Sequence, residues 1–392
     1  VGKASIKHKE TAYWSIHGPV IMGELATYAI KYSKSNDIRI IEQWYKMNKA
    51  KNIKEWTDAM EMMSIPMFNA GYADKEGNIF YVYNALIPKR KDGFNWNGIV
   101  PGDRSDLIWK SYYDFSELPQ ITNPASGYLQ NCNSSPYLAT VGGDNPIKTL
   151  PKTCGVEEFQ TNRAFRSHEL FGKDTSISRD EFYEYKYDTY YSKKSAMYYA
   201  LNRFLDEVDT DSPDLLKGIR LLKTWDLGNQ KENTAAALAM LTFKLKFNIN
   251  EYKYNYNEIF KQFKASISFL NKHYGKIDIP LGKFQRLRRG EVDLPLDGAP
   301  DVLRAIYSES NSNGKFVGKA GDSYILAVKW DMNGEMQSFS GQPFGTSTND
   351  ITSSHYNDQS ELFSNHQLKP VWFNLDDIKA NLEQVYEPGK EK

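Results

Sequence analysis

Five short segments hold residues whose types and spacing could do chemistry. His355 and Asp358 stand three apart in His355-Tyr356-Asn357-Asp358-Gln359. Acid–base or metal chemistry would use such a pair, but two groups are too few to make a site. Cys132 and Cys154 flank a stretch rich in Pro, Gly and Asn. A disulfide can close that loop, two buried thiols fit equally well, and the spacing matches no metal-ligand pattern. Arg163 and Arg166 lie three apart in Asn162-Arg163-Ala164-Phe165-Arg166, a spacing that on a helix reads as a solvated face. Asn131 and Asn133 belong to Asn131-Cys132-Asn133-Ser134-Ser135-Pro136, where side-chain amides serve ordinary turns. His17-Gly18-Pro19-Val20 reads as a turn that ends a strand run. Taken singly, each segment has a structural explanation.

The elements that must position these residues follow from periodicity. Residues 4–21 alternate imperfectly and 25–32 continue in extended fashion; 38–63 read as helix broken near Asn52. A hairpin is expected from 67–72 and 79–86 around the turn Asp74-Lys75-Glu76-Gly77-Asn78, which has the residues a short connection demands. The irregular stretch 87–125, with Pro88, Gly93, Pro101, Gly102, Pro119 and Pro124, is long enough to be functional or packed on another element. Helices are expected over 157–171, 179–192, 194–207, 215–225, 233–247 and 257–274. In the fourth, Leu215, Leu216, Ile219, Leu222 and Trp225 share a face. Ser178 and Asp211-Ser212-Pro213 suit helix starts, and 188–191 reads as helix surface. Strands return at 323–330 and 335–339 across the turn 331–334, and a short helix spans 375–386. This order predicts a sheet-rich part over 1–150, a helical insertion over 151–310, and strands returning to the core over 311–392.

Composition excludes several function classes. The chain has 392 residues, with 49 Lys plus Arg balancing 49 Asp plus Glu. Zero net charge argues against nucleic acid or an anionic membrane as the main partner. No run of apolar residues reaches transmembrane length, and residues 1–11 are too polar for a signal peptide. The 26 Tyr, 20 Phe and 8 Trp suit packed surfaces and apolar pockets with a polar rim. A carbohydrate-binding module would rest on that aromatic content alone.

In their order and distances the segments resemble the penicillin acylase family, which includes acyl-homoserine lactone acylases. The likeness runs from about residue 13 to residue 373. It rests on His17-Gly18-Pro19-Val20, on Tyr72-Ala73-Asp74 with Gly77-Asn78-Ile79, on the stretch from Asn123-Pro124 to Pro136, and on His355 to Gln359. The resemblance implies an α+β fold, the N-terminal-nucleophile hydrolase αββα sandwich, incomplete here and carrying a helical insertion. It implies hydrolysis of N-acyl amide bonds, in an acyl-homoserine lactone or a β-lactam side chain. The nucleophile is a serine at the start of a processed subunit, whose own α-amine is the base; that amine titrates near neutrality. Asn133 maps onto the family's oxyanion-hole asparagine, with Asn131 the next candidate, and Arg163 onto an orienting arginine, with Arg166 as the fallback.

One departure shapes the expectation. The family's serine lies far upstream of the His-Gly-Pro segment, whereas sixteen residues precede His17 and residue 1 is Val. The chain is therefore expected to be a fragment whose missing N-terminal part and small subunit bring the nucleophile. Such a piece should expose strand edges and apolar faces. No cofactor is required. A structural calcium occurs in the family, with ligands mostly outside this chain and Asp144 as a survivor. The family is typically exported, which predicts a periplasmic or secreted protein. The competing reading is a non-catalytic scaffold that keeps the fold without the nucleophile.

Overall fold

The hairpin signalled by Asp74 and Gly77 forms with the expected register. In the computed structural model, strands Met67–Ala73 and Ile79–Ala85 pair antiparallel from Met67 opposite Ala85 to Ala73 opposite Ile79. The structure describes residues 9–65, 67–244, 254–311, 313–387 and 389–390; the expectations over 4–8 and 245–247 lie outside them. The chain divides into two units, Val1–Phe159 and Gln160–Lys392.

In the first unit, strand Gln120–Thr122 joins the hairpin beside Ile79–Ala85. Residues 80–85, Phe-Tyr-Val-Tyr-Asn-Ala, are all buried, so this strand carries large residues on both faces. Two helices, Ile40–Lys49 and Ile53–Met60, are separated at Asn52, whose extended backbone lets its side chain accept from Glu55 N at 2.9 Å. That cap ends one helix and starts the next. Trp56 and Met60 pack with Phe80, Val82, Phe115 and Leu150 in a small core. Gln43, fully buried, accepts from the backbone N–H groups of Ser64 and Ile65 at 2.8 and 2.9 Å and fixes the entry to the hairpin. A separate meander, Tyr13–Ser15, Gly18–Met22 and Thr27–Ala29, is antiparallel throughout. Strand Met67–Ala73 is an edge with Met67 and Phe68 exposed, and Trp14, Leu25 and Ile41 are exposed as well. This unit thus presents an open strand edge and apolar side chains.

The second unit is helical before it returns to strands. Its longer helices are Asn162–Leu170, Arg179–Lys186, Ala196–Glu207, Pro213–Lys223, Ala236–Phe243 and Tyr256–Tyr274, and short ones follow at Leu281–Phe284, Ser360–Ser364 and Leu375–Ala380. Ser178 and Glu181 form a capping box, and Pro213 takes the first helical position, as their types favour. Ala236–Phe243 is apolar nearly all round and buried nearly all round. Phe204, Leu222, Phe263 and Leu270 fill the core around it.

Strands Gln285–Arg289, Val292–Pro295 and Ile306–Ser310 lie inside the stretch expected to be helical. They join Phe316–Gly321 in a four-stranded sheet in which only Gln285–Arg289 and Phe316–Gly321 run parallel. Leu287 and Leu294 face each other across this hairpin, turned by Gly290 at φ +58°. The alternation is short and dense in charge, which masks it as a strand signal. Ile325–Trp330 and Met336–Gly341 form the last expected hairpin, and Lys369–Pro370 is added at its edge. No described helix is long and apolar enough to cross a membrane.

Beneath the four-stranded sheet lies a charge network that local pattern did not announce. Arg304 is wholly buried, with Nε 3.4 Å from Asp297, Nη1 3.2 Å from Asp322 and Nη2 donating to Phe363 O at 2.8 Å. Its guanidinium lies 4.0 Å from the Phe363 ring centroid. His366 Nε2 stands 2.7 Å from Asp297, its ring stacked on Tyr187, while Lys186 holds Asp322 at 2.9 Å.

Candidate active site

The stretch from Asn123 to Pro136 leaves strand Gln120–Thr122 and is tied down residue by residue. Asn123, at φ +46°, accepts from Ile79 N at 2.8 Å and donates to Asn78 Oδ1 at 3.2 Å. Asn78 in turn bonds Asp74, which also accepts from Tyr72 OH at 2.9 Å. Two segments that are distant in sequence therefore meet at one end of the hairpin. Ala125 N donates to Asp144 Oδ2 at 2.7 Å, and Thr140 Oγ1 donates to Tyr128 O at 2.9 Å. The Asp144 carboxylate thus serves the loop backbone. Among the described residues no group of three or more His, Cys, Asp or Glu side chains is placed to hold a metal.

Asn131 and Asn133 stand at the tip of this loop. Asn133 adopts the left-handed conformation at φ +56°, which Asn tolerates better than other residues with a Cβ. Its N–H donates to Asn131 Oδ1 at 3.2 Å, an Asx turn that folds one asparagine over the other. Asn131 Nδ2 points back, 3.4 Å from Ser134 O and 3.5 Å from Tyr81 OH, and Tyr81 OH donates to Asn69 Oδ1 at 2.5 Å. Burial pushes the Tyr81 phenol well above its ordinary range, so it keeps its proton and can donate. The amide of Asn131 is thus spent on positioning, while Asn133 is exposed at the surface. Cys132 and Cys154 are not bridged to each other.

Arg163 belongs to the second unit. Thr161 caps its helix by accepting from Ala164 N at 3.1 Å. Asn162 donates to Asp301 O at 2.7 Å and accepts from Ser192 N at 2.7 Å, which anchors the helix start at two distant points. Arg163 Nε lies 3.4 Å from Asp301 Oδ1. Arg166 makes a bidentate pair with Asp188 at 3.0 and 2.7 Å and reaches Glu169 at 3.0 Å. Neither arginine forms the solvated face its spacing suggested. The expectation of helix surface at 188–191 is corrected too: the helix ends at Lys186, and Asp188 is partly buried and pairs with Arg166. Tyr191 is also buried, its hydroxyl donating to Pro300 O at 2.6 Å. A spacing of three cannot reveal an acid that arrives from another segment.

Burial pushes the Asp301 carboxyl up to about 6, against the pull of the Asn162 N–H and Arg163. An unfolded carboxylate titrates near 3.9. The folded state therefore holds this proton more tightly, and the contribution is full below about pH 4 and lost as pH rises through about 6. Asp301→Asn should abolish that fall. In urea unfolding at pH 4 and pH 6.5, the wild type should lose roughly 1–3 kcal/mol more than the variant across this window. Parallel pH profiles would show that Asp301 is ionised throughout.

The remaining motifs are structural. A Cβ on Gly18, at φ +135°, would lie 2.2 Å from Ile30 O, so the His-Gly-Pro segment needs glycine where the meander closes on itself. Tyr356 packs under the Arg289 guanidinium, 3.8 Å from its ring centroid, and Arg289 also donates to Ser347 O and Thr348 O. His355 bridges Asp358 and Glu383, each at 2.8 Å. Hydrogen bonds to Asp358 and Glu383 raise its pKa to about 9, which keeps it a cation at neutral pH.

Comparison with known proteins bears on this arrangement. The penicillin amidase family model matches residues 2–380. Penicillin G acylase of Escherichia coli is 33% identical over 131 residues, covering 32% of this chain and 15% of that protein. Acyl-homoserine lactone acylase PvdQ of Pseudomonas fluorescens is 22% identical over 445 aligned residues, covering 97% of this chain and 56% of that protein. The chain thus spans about half the length of that relative. A thermostable penicillin G acylase from Alcaligenes faecalis superposes with a TM-score of 0.65 at 17% identity, over 98% of this chain and 79% of that one. This likeness identifies the fold as that of an N-terminal-nucleophile hydrolase.

Proposed function

The chain belongs to the penicillin amidase family, and from that premise we propose that it forms part of an enzyme hydrolysing N-acyl amide bonds. The observation that carries the reading is the Asn131–Asn133 turn. One asparagine is spent on holding the loop, and the other stands exposed on a backbone that is braced through Tyr81 to Asn69. A neutral amide N–H suits an oxyanion because it stabilises negative charge without titrating.

In this reading an N-terminal serine outside residues 1–392 attacks the amide carbonyl. Its α-amine takes the hydroxyl proton, and Asn133 donates to the oxygen as negative charge develops. Collapse expels the amine, which takes that proton, and leaves an acyl-enzyme that water hydrolyses to the acid. Asn131 positions Asn133, and Arg163 orients the surroundings of the nucleophile. The rest of the precursor would cover the open edge Met67–Ala73 and the exposed apolar side chains. An acyl-homoserine lactone is favoured over a β-lactam side chain because the sequence alignment extends over 97% of the chain for the lactone acylase and over 32% for the Escherichia coli penicillin G acylase. No cofactor is needed for these steps, a structural calcium would take most of its ligands from outside the chain, and a periplasmic or secreted location fits an exported family.

The test is amine release from N-acyl-homoserine lactones and a phenylacetyl amide. Turnover is expected when the upstream part of the precursor is present and absent for residues 1–392 alone. Silence of both forms would favour the non-catalytic scaffold. Turnover by residues 1–392 alone would place the nucleophile within them.

A further inference from the structure

The first unit contains a cleft of about 380 Å³ that takes no part in the reading above. Its walls come from the meander, at His17, Tyr28 and Lys31, and from the irregular stretch, at Arg90, Trp96 and Trp109. Neither Asp nor Glu lines it. The nearby carboxylate of Asp106 is already taken by Lys91 at 2.5 Å and Arg104 at 2.6 Å. Among the described residues, none of His17, Lys31 and Arg90 is in an ion pair.

Arg90 is one of the residues that line the cleft. Its guanidinium lies 5.5 Å from the Trp96 ring centroid and 5.2 Å from that of Trp109. Nη1 donates to Thr153 O at 3.0 Å, while Nε is buried with no hydrogen-bond partner. Trp96 is held in place by its own indole N–H, which donates to Lys91 O at 2.8 Å. Aromatic faces attract a cation but neutralise none of its charge. A half-buried guanidinium without a counter-ion is an expensive arrangement, and burial indeed works against its charge. Flat indole walls and unpaired cations together suit one kind of guest.

We propose that this cleft binds a small flat organic anion, an aryl carboxylate, whose carboxylate pairs with Arg90 and Lys31 while its ring lies against Trp96 and Trp109. Its volume falls in the range of small-molecule sites, and a guanidinium forms strong charge-assisted hydrogen bonds to a carboxylate. His17, whose Nε2 is 2.9 Å from Gly102 O, fixes the cleft's rim.

Isothermal titration of the protein with naphthalene-1-carboxylate tests this, with 1-naphthylmethanol as the neutral isostere and cyclohexanecarboxylate as the non-aromatic one. Saturable binding of the naphthoate is expected, with both isosteres weaker by roughly tenfold or more. Arg90→Gln should abolish binding, and Lys31→Gln should weaken it several-fold. Lys31 is only partly buried, so its variant decides the matter if Arg90→Gln does not fold. No saturable binding, equal binding of the alcohol, or wild-type affinity in Lys31→Gln would each overturn the proposal. Binding is read without turnover, so failure here leaves the acylase reading untouched, and failure of that reading leaves the cleft.

Discussion

Asn133→Ala, made in the full precursor, is expected to lower kcat by roughly 10²- to 10³-fold, the cost of removing one oxyanion donor. KM should move little, because a donor aimed at developing charge contributes in the transition state and not to substrate binding. The residue is exposed, so lost packing cannot explain such a drop. Its left-handed backbone, at φ +56°, could. An alanine there is strained by about 1–2 kcal/mol, and Asn133→Gly is the control that relieves it. The two variants should share the same loss of kcat while the glycine form keeps its melting temperature. Asn133→Asp tolerates the backbone but replaces the donor with a negative charge, and should be the worst of the three. Asn131→Ala should act more mildly, by loosening the turn. Activity of Asn133→Gly within a few-fold of wild type would remove Asn133 from the reaction.

Arg304→Met should destabilise the second unit by about 3–5 kcal/mol, the cost of breaking a buried charge pair from one side. The methionine fills similar space, so the effect is electrostatic more than a cavity. Arg304 faces two carboxylates and one carbonyl oxygen, and all three would lose a donor. The lower end of the range is favoured because each carboxylate keeps another partner: Asp297 keeps His366 at 2.7 Å and Asp322 keeps Lys186 at 2.9 Å. Burial opposes ionisation of Asp297, yet His366 and Arg304 hold its carboxyl below the usual carboxylate range. Arg304→Met combined with Asp322→Asn should cost less than the sum of the two single variants, since both remove the same contact. Urea unfolding measures both. A single variant within about 0.5 kcal/mol of wild type would mean that the network contributes little to stability.

Local chemistry made much of this molecule legible in advance. Asp74 and Gly77 announced their hairpin because turn residues act within four positions. Asn52, Ser178 and Pro213 marked helix boundaries because capping groups are satisfied within a turn. The spaced run of anchors from His17 to Gln359 placed the chain in its family, and the same resemblance offers Asn133 as the oxyanion donor that the variants above test. What only folding decided is the set of partners far apart in sequence. Arg166 reads as surface until Asp188 pairs with it, and nothing in the residues beside Arg304 signals its burial. Its partners at 297, 322 and 363 converge on it because the strands around it pair, and the neighbouring His366 arrives the same way. The cations of the cleft share this history, since Lys31 and Arg90 approach across 59 positions. Short-range order is written in backbone preferences of neighbouring residues; the balance of buried charge exists only once distant segments exclude water together.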